Sequence, residues 1–242
     1  MPHIRNDATP QQKAAIQASA STEDVRRGYD FRSYFYPWVI SPFLEKTKRM
    51  ASHRAEILPH HRVLEVAIGP GNTLRKIAPL LSRDNVLYGV DLSPKMVQAA
   101  QKHLNDAGYR NHDPRVADAR QLPYPNEMFD VVLNSYMLDI LPLEDIGTVM
   151  SEFFRVLKPG GQLVLVNVSK EHEHQRTWRE RIYTMLPPSW VPFVHGGSRP
   201  VFNEGWVRST GFTQVQREFV HHIVPSEIIT ARRPLTTGPP VS

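Results

Sequence analysis

The residues of this chain best suited to chemistry are a glycine turn and a carboxylate twenty positions further on. The turn lies in Val63-Leu64-Glu65-Val66-Ala67-Ile68-Gly69-Pro70-Gly71-Asn72-Thr73-Leu74. An apolar run enters it and reads as a buried strand, and Leu74, Ile77, Ala78 and Leu81 leave it at helical spacing. Glycines at such a turn permit positive φ and let a ligand lie directly on the backbone. The next strand, expected from Asn85 to Val90, ends in Asp91, twenty residues after Gly71. That is the spacing at which a carboxylate takes the ribose hydroxyls of a bound nucleoside. A dinucleotide turn needs a third glycine, which would fall on Leu74, so a nicotinamide oxidoreductase is disfavoured.

The pattern acidic-x-small-x-Gly-x-Gly, carried by Glu65, Ala67, Gly69 and Gly71, resembles motif I of the class I S-adenosylmethionine (SAM) methyltransferases. Families of this type usually have glycine where Ala67 stands. The stretch Glu152 to Gly161, E-x-x-R-V-L-K-P-G-G, is similar to that of the methyltransferase type 11 group, and Tyr29-Asp30 to the pair that opens many ubiquinone/menaquinone-type methyltransferases. The resemblance implies SAM as co-substrate and S-adenosylhomocysteine as product. It also implies that Asp118 accepts the adenine amino group and that the Ala119 N–H meets a ring nitrogen. The end of the strand from Phe129, at Asn134 and Ser135, would face the methionine part and the acceptor, with Tyr136, Leu138 and Asp139 beyond. Tyr29 would close the methionine end, and Leu92 and Met96 complete the implied cofactor set. Pro70 removes one N–H from the turn, which suits a nucleoside sulfonium better than a pyrophosphate that needs several backbone donors. Methyltransferases acting on base amines often carry Pro-Pro after the Asn; here Ser135-Tyr136 follow Asn134, which argues against that acceptor.

Composition sets further bounds. The 242 residues suffice for one large α/β domain with additions. The absence of cysteine excludes disulfides, thiolate metal sites and a cysteine nucleophile, and with them cytosine-C5 and arsenic methylation. The formal net charge is +5, but Lys and Arg are scattered, with denser groups only at Arg26-Arg27, Lys46 to Arg49 and Arg176 to Arg181. A solvated basic surface therefore outweighs nucleic-acid binding. There is no apolar run long enough to span a bilayer, and Met1 to Gln17 lacks the apolar core of a signal peptide, so a cytoplasmic location is expected; peripheral membrane contact and oligomeric state stay open.

Stepping along the chain, Ser93 and Pro94 open a helix that Gly108 ends. A short strand is expected around Arg115 to Ala117. A helix from Leu143 to Leu157 should stop at Lys158-Pro159-Gly160-Gly161, and Leu163 to Val168 should form a central strand. Strands near Val215 to Val220 and Ile223 to Ala231 should close the sheet as an antiparallel pair. The expected fold is α/β: a Rossmann-like seven-stranded, mostly parallel sheet with helices on both faces and an antiparallel C-terminal strand. Around it, residues 1–55 read as an N-terminal arm with cap helices, including an amphipathic helix from Val39 to about Leu58. Residues 56–233 form the SAM-binding domain with a cap insertion at 169–202, and 234–242 a disordered tail. Tyr29 to Phe43 and Trp178 to Phe202 are rich in aromatic residues and should lie over the carboxyl ends of the strands. The acceptor favoured is a small, largely apolar molecule: a quinone precursor, phenol or lipid-like metabolite, methylated at O or C. An RNA-modifying or RNA-binding protein, and a SAM-binding protein without catalysis, are the alternatives. His172 and His174 could begin a metal site, but exposed residues at a helix start explain them better, so no metal is expected. His172, His195, Tyr136 and Asp139 could act as a base; each is explained better as a surface or packing residue, and no catalytic base is assigned.

Overall fold

A computed structural model describes residues 41–171, 198–221 and 224–235. Tyr29, His172, His195, the aromatic residues before Ser41, most of the insertion and the tail lie outside the described residues. The element order is α1 (Ser41–Arg54), β1 (Val63–Val66), α2 (Asn72–Ile77), β2 (Leu87–Asp91), α3 (Pro94–Asp106), β3 (His112–Val116), β4 (Phe129–Ser135), α4 (Leu143–Val156), β5 (Leu157–Val168), α5 (Glu204–Ser209), β6 (Thr213–Val220) and β7 (Ser226–Arg232). A single 3-10 turn, Ala78–Leu80, extends α2 where Pro79 interrupts it.

The seven strands run in the order β3-β2-β1-β4-β5-β7-β6. β1 to β5 are mutually parallel, while β7 is antiparallel to both β5 and β6. Because the order reverses beside β1, the carboxyl ends of β1 and β4 diverge there, which is where open α/β sheets hold ligands. Alternate residues of the inner strands feed two cores. Leu64, Val132, Leu163 and Leu165 pack against α4 through Ile146, Val149, Met150 and Phe153. Val63, Val131, Val164 and Val166 pack against α1, α2 and α3 through Leu44, Leu74, Ile77, Ala100 and Leu104. Helices therefore cover both faces. Each fully buried aliphatic or aromatic side chain contributes roughly 1.5–3 kcal/mol.

Several boundaries differ from the sequence expectation. The third strand is His112–Val116 rather than Arg115 to Ala117. Lys158 to Gly161 does not end one element and begin another: α4 stops at Val156 and the chain is extended from Leu157 onward. The pairing jumps from Phe129↔Leu157 to Val131↔Gln162, so these residues form a large bulge on β5. Gly160 has φ +78°, its N–H donates to the Arg233 carbonyl (2.8 Å), and a Cβ on Gly161 would lie 2.8 Å from the Lys158 carbonyl oxygen. Finally, β7 begins at Ser226, because Pro225 has no N–H to enter the ladder.

Candidate active site

The cleft opens at the carboxyl ends of β1, β2 and β4. Its empty volume, with the open solvent at its mouth, is ≈ 1220 Å³. The turn after β1 forms its floor. Ala67 (φ +60°) and Gly69 (φ +51°) both lie in the left-handed region, which explains why glycine is the usual residue at Ala67. A Cβ on Gly69 would meet nothing within 4 Å, so the turn leaves open space at that point.

Asp91 fastens this turn. One carboxylate oxygen accepts from the Gly69 N–H (2.8 Å) and the other from the Ser93 N–H (2.9 Å). A carboxylate offers about four acceptor positions, so these bonds are compatible with further bonds to ligand hydroxyls. Ser93 caps α3 through the Met96 N–H (3.4 Å). Ala67, Gly69, Asp91, Leu92, Met96, Asp118, Ala119 and Ser135 all line the cleft.

Other residues singled out from the sequence do not. Gly71 (φ +82°) turns its Cα hydrogen toward α3, where an added Cβ would approach Ala100 Cβ to 2.9 Å; its smallness serves helix packing, not ligand approach. Asn134 is buried below the floor and donates to the Val66 carbonyl (2.9 Å), tying β4 to β1. Glu65 is 1% exposed and off the cleft wall. Burial pushes its carboxyl up to about 7, against the attraction of Lys48 and hydrogen bonds from Thr73 and Leu74. Asp118 is on the wall but already engaged: the Arg120 guanidinium reaches it at 2.6 Å and the Arg120 N–H at 2.8 Å, holding its carboxyl below the usual range.

Two of the candidate bases are described. Tyr136 lines the cleft with a left-handed backbone (φ +56°). Its hydroxyl is hydrogen-bonded to Ser226 Oγ (3.1 Å), and burial pushes its ionisation up to about 12, so it is protonated at neutral pH. Asp139 is buried off the cleft, with Ser198 Oγ donating to it, and burial raises its carboxyl to about 6. Neither is a free base at a substrate-facing position.

Sequence reasoning missed Lys48, Arg120 and the apolar wall of Met137, Ile140, Leu141, Pro142 and Val149. Lys48 had a signal: it continues the buried stripe Leu44, Ala51, Ala55 of α1 at helical spacing, an unusual place for a lysine.

Comparison with known proteins accords with this geometry. Residues 63–161 match the family described as "Methyltransferase domain". The aklanonic acid methyltransferase DauC of Streptomyces sp. (strain C5) is 25% identical over 179 residues, 74% of this chain and 77% of that protein. A ubiquinone/menaquinone biosynthesis C-methyltransferase, UbiE of Ectopseudomonas mendocina, is 29% identical over 69% of this chain, which spans 64% of it, less than two thirds of its length. Among solved structures, the [4+2]-cyclase SpnF shares the fold with a TM-score of 0.73 at 18% identity, over 92% of this chain and 99% of that one. The glycine turn, the acidic end of β2 and the bulged entry to β5 all fall within residues 63–161, and this segment is a class I methyltransferase domain, with SAM as its co-substrate.

Proposed function

We propose that SAM lies along the floor with its ribose on Asp91, its adenine by Asp118 and Ala119, and its methionine end over Ala67 and Gly69 toward Ser135 and Tyr136. The acceptor is a small, largely apolar molecule, a quinone precursor, phenol or lipid-like metabolite, methylated at O or C. The observation that carries this reading is the wall beyond the β4 end: Met137, Ile140, Leu141, Pro142 and Val149 are apolar. Lys48 and Arg120 are the cations on the described wall, and Arg120 is already paired with Asp118 (2.6 Å) and Asp145 (3.2 Å). A wall so poor in available cations does not suit a phosphate polymer. Relatives named for aklanonic acid and for ubiquinone/menaquinone biosynthesis favour the same acceptor class.

When bound, SAM supplies a methyl group already activated by its sulfonium. The task left to the chain is to orient the acceptor in line and exclude water. Residues 169–202 are proposed to cover the acceptor side. Both flanks of that insertion support this: Ser169 Oγ donates to the Val201 carbonyl (2.9 Å), and the Val201 N–H to the Val168 carbonyl (3.1 Å), at the carboxyl end of β5. Residues 1–55 are proposed as the second cover, with α1 as its seated part.

The test is transfer of labelled methyl from SAM to a panel of phenols, hydroquinones and amphiphilic lipids, beside tRNA and rRNA fragments. Labelled phenol, quinol or lipid, with S-adenosylhomocysteine released in step, is expected. Tight, salt-sensitive RNA binding with methyl incorporation overturns the acceptor class, and binding of SAM with no turnover on any acceptor favours a non-catalytic role.

A further inference from the structure

We propose that Lys48 is an oxyanion-binding residue at the Tyr136 end of the cleft, holding a carboxylate or an ionised hydroxyl of a bound ligand. The inference rests on the cofactor placement above only for which ligand supplies the oxygen. It assigns a binding role to a helix that precedes the matched segment 63–161.

The argument starts from α1. Leu44, Ala51 and Ala55 bury one stripe of this helix against Val164, Val166 and Ile228. Lys48 stands in the same stripe, four residues after Leu44 and three before Ala51, yet its side chain enters the cleft. Its ammonium lies 5.9 Å from the centre of the Tyr136 ring. It makes no hydrogen bond or ion pair with any described residue. An ammonium carries three donors, and leaving them unmade in a half-buried position is costly. Burial accordingly depresses its ionisation, an effect that attraction to Glu65 offsets in part.

Glu65 does not satisfy those donors. Its contact with Lys48 is a through-space attraction, and one of its oxygens, Oε2, is buried with no hydrogen-bond partner among the described residues. The lysine is thus set beside an aromatic face, with its donors open toward the cleft. A charged, desolvated donor in that setting binds an oxyanion more strongly than the same lysine on the surface. The neighbouring polar groups do not compete: the Tyr136 hydroxyl is occupied by Ser226 and Thr47. Two ligands could present the oxygen: the cofactor through its α-carboxylate, or the acceptor through an acidic group. In the second case the ammonium favours an acceptor hydroxyl that has released its proton to solvent, so no general base need lie on the described wall.

The experiment uses the full chain and its Lys48→Met and Lys48→Arg variants, with melting temperatures recorded to confirm folding. Calorimetry measures S-adenosylhomocysteine and 5′-methylthioadenosine, which lacks the amino-acid part. It then measures 2-naphthoate and the uncharged 2-acetylnaphthalene on protein saturated with S-adenosylhomocysteine. Loss of at least tenfold in S-adenosylhomocysteine affinity in Lys48→Met, with methylthioadenosine unchanged and Lys48→Arg restoring most of it, supports the site with the cofactor as source. An unchanged S-adenosylhomocysteine affinity with tenfold weaker 2-naphthoate, 2-acetylnaphthalene being unaffected, supports it with the acceptor as source. Both ligands within twofold of the parent, or equal losses for S-adenosylhomocysteine and methylthioadenosine, overturn it. If the parent chain binds neither adenosyl compound, the cofactor placement itself fails, an outcome independent of Lys48.

Discussion

Replacing Ala67 by glycine tests the backbone argument on which the floor of the site depends. Ala67 sits at φ +60°, and an L-residue there carries a steric cost of about 1–2 kcal/mol. Glycine removes that cost but enlarges the unfolded ensemble, a loss of about 0.4–1 kcal/mol. Ala67 is half-buried and packs against the core shared with α4, so deleting its methyl forfeits roughly half of the 0.8 kcal/mol that a fully buried carbon contributes. Set together, Ala67→Gly should change stability by less than about 1 kcal/mol and lean toward stabilisation. An ordinary Ala→Gly change at a right-handed position destabilises by about 1 kcal/mol. Ala67→Val should cost 2 kcal/mol or more, since a β-branched residue tolerates positive φ least. Urea unfolding at equal m-values gives both numbers. A loss above 1 kcal/mol in Ala67→Gly would refute the left-handed assignment. Because Ala67 also lines the cleft, S-adenosylhomocysteine affinity in the glycine variant should hold or rise.

Three further outcomes are expected. Asp91→Ala should weaken S-adenosylhomocysteine by roughly 3 kcal/mol, over a hundredfold, through lost charge-assisted bonds to the ribose and a loosened Gly69 and Ser93; calorimetry giving an unchanged affinity sinks the ribose assignment. Glu65, raised by burial from 4.5 to about 7, binds its proton more tightly folded than unfolded, so its contribution falls as pH rises from about 4.5 to 7 and above that costs about 3 kcal/mol. Glu65→Gln should therefore flatten that part of the stability–pH curve relative to the parent, and Asp139→Asn the part between about 4 and 6; identical slopes contradict the burial argument. Trp190→Ala or Phe193→Ala, both in the proposed insertion cover, should impair turnover of the true acceptor while leaving S-adenosylhomocysteine affinity intact; a lower melting temperature without a selective kinetic effect would make them packing residues.

What the sequence made legible is what lies close along the chain. The strand, glycine turn and helix around Gly69, and the carboxylate ending β2, are local patterns, and the structure brings them to one cleft. Gly71 could not be separated from Gly69, because a glycine spared for a ligand and one spared for a helix look alike until Ala100 is seen opposite. Asn134 and Ser135 could not be told apart for a similar reason: strand alternation sends Ser135 to the wall and Asn134 beneath it, and which of two adjacent polar residues faces the cleft is a one-residue register that the sequence alone leaves open. That Arg120, two residues on, pairs with Asp118 on the cleft wall is likewise seen only in the structure. Lys48 and the wall from Met137 to Pro142 meet the turn only through the tertiary fold.

The antiparallel strand has a consequence for the site that its place near the sheet edge conceals. Because β7 runs opposite to β5, its first residues meet the last residues of β5, with Val168 paired to Ser226. Ser226 and Glu227 thereby arrive at the same edge as the carboxyl ends of β1 and β4. Ser226 takes the Tyr136 hydroxyl at 3.1 Å, while the Tyr136 N–H donates to the Val166 carbonyl at 2.6 Å. A left-handed tyrosine costs about 1–3 kcal/mol and persists only where its surroundings over-determine it. Here the restraints come from α1, β5 and β7, which pack directly on one another, so the conformation of one wall residue depends on three elements at once. The fully buried Glu227 marks the same edge: its carboxylate accepts from Arg217 (2.7 Å) and Asn203 (3.0 Å) and lies 2.9 Å from Ser169 Oγ, joining β6, the end of β5 and the return of the insertion. Burial raises its carboxyl, as it does those of Glu65 and Asp139. Three buried carboxyls with raised ionisation and a left-handed tyrosine are the kind of perturbed groups that cluster where geometry serves a ligand.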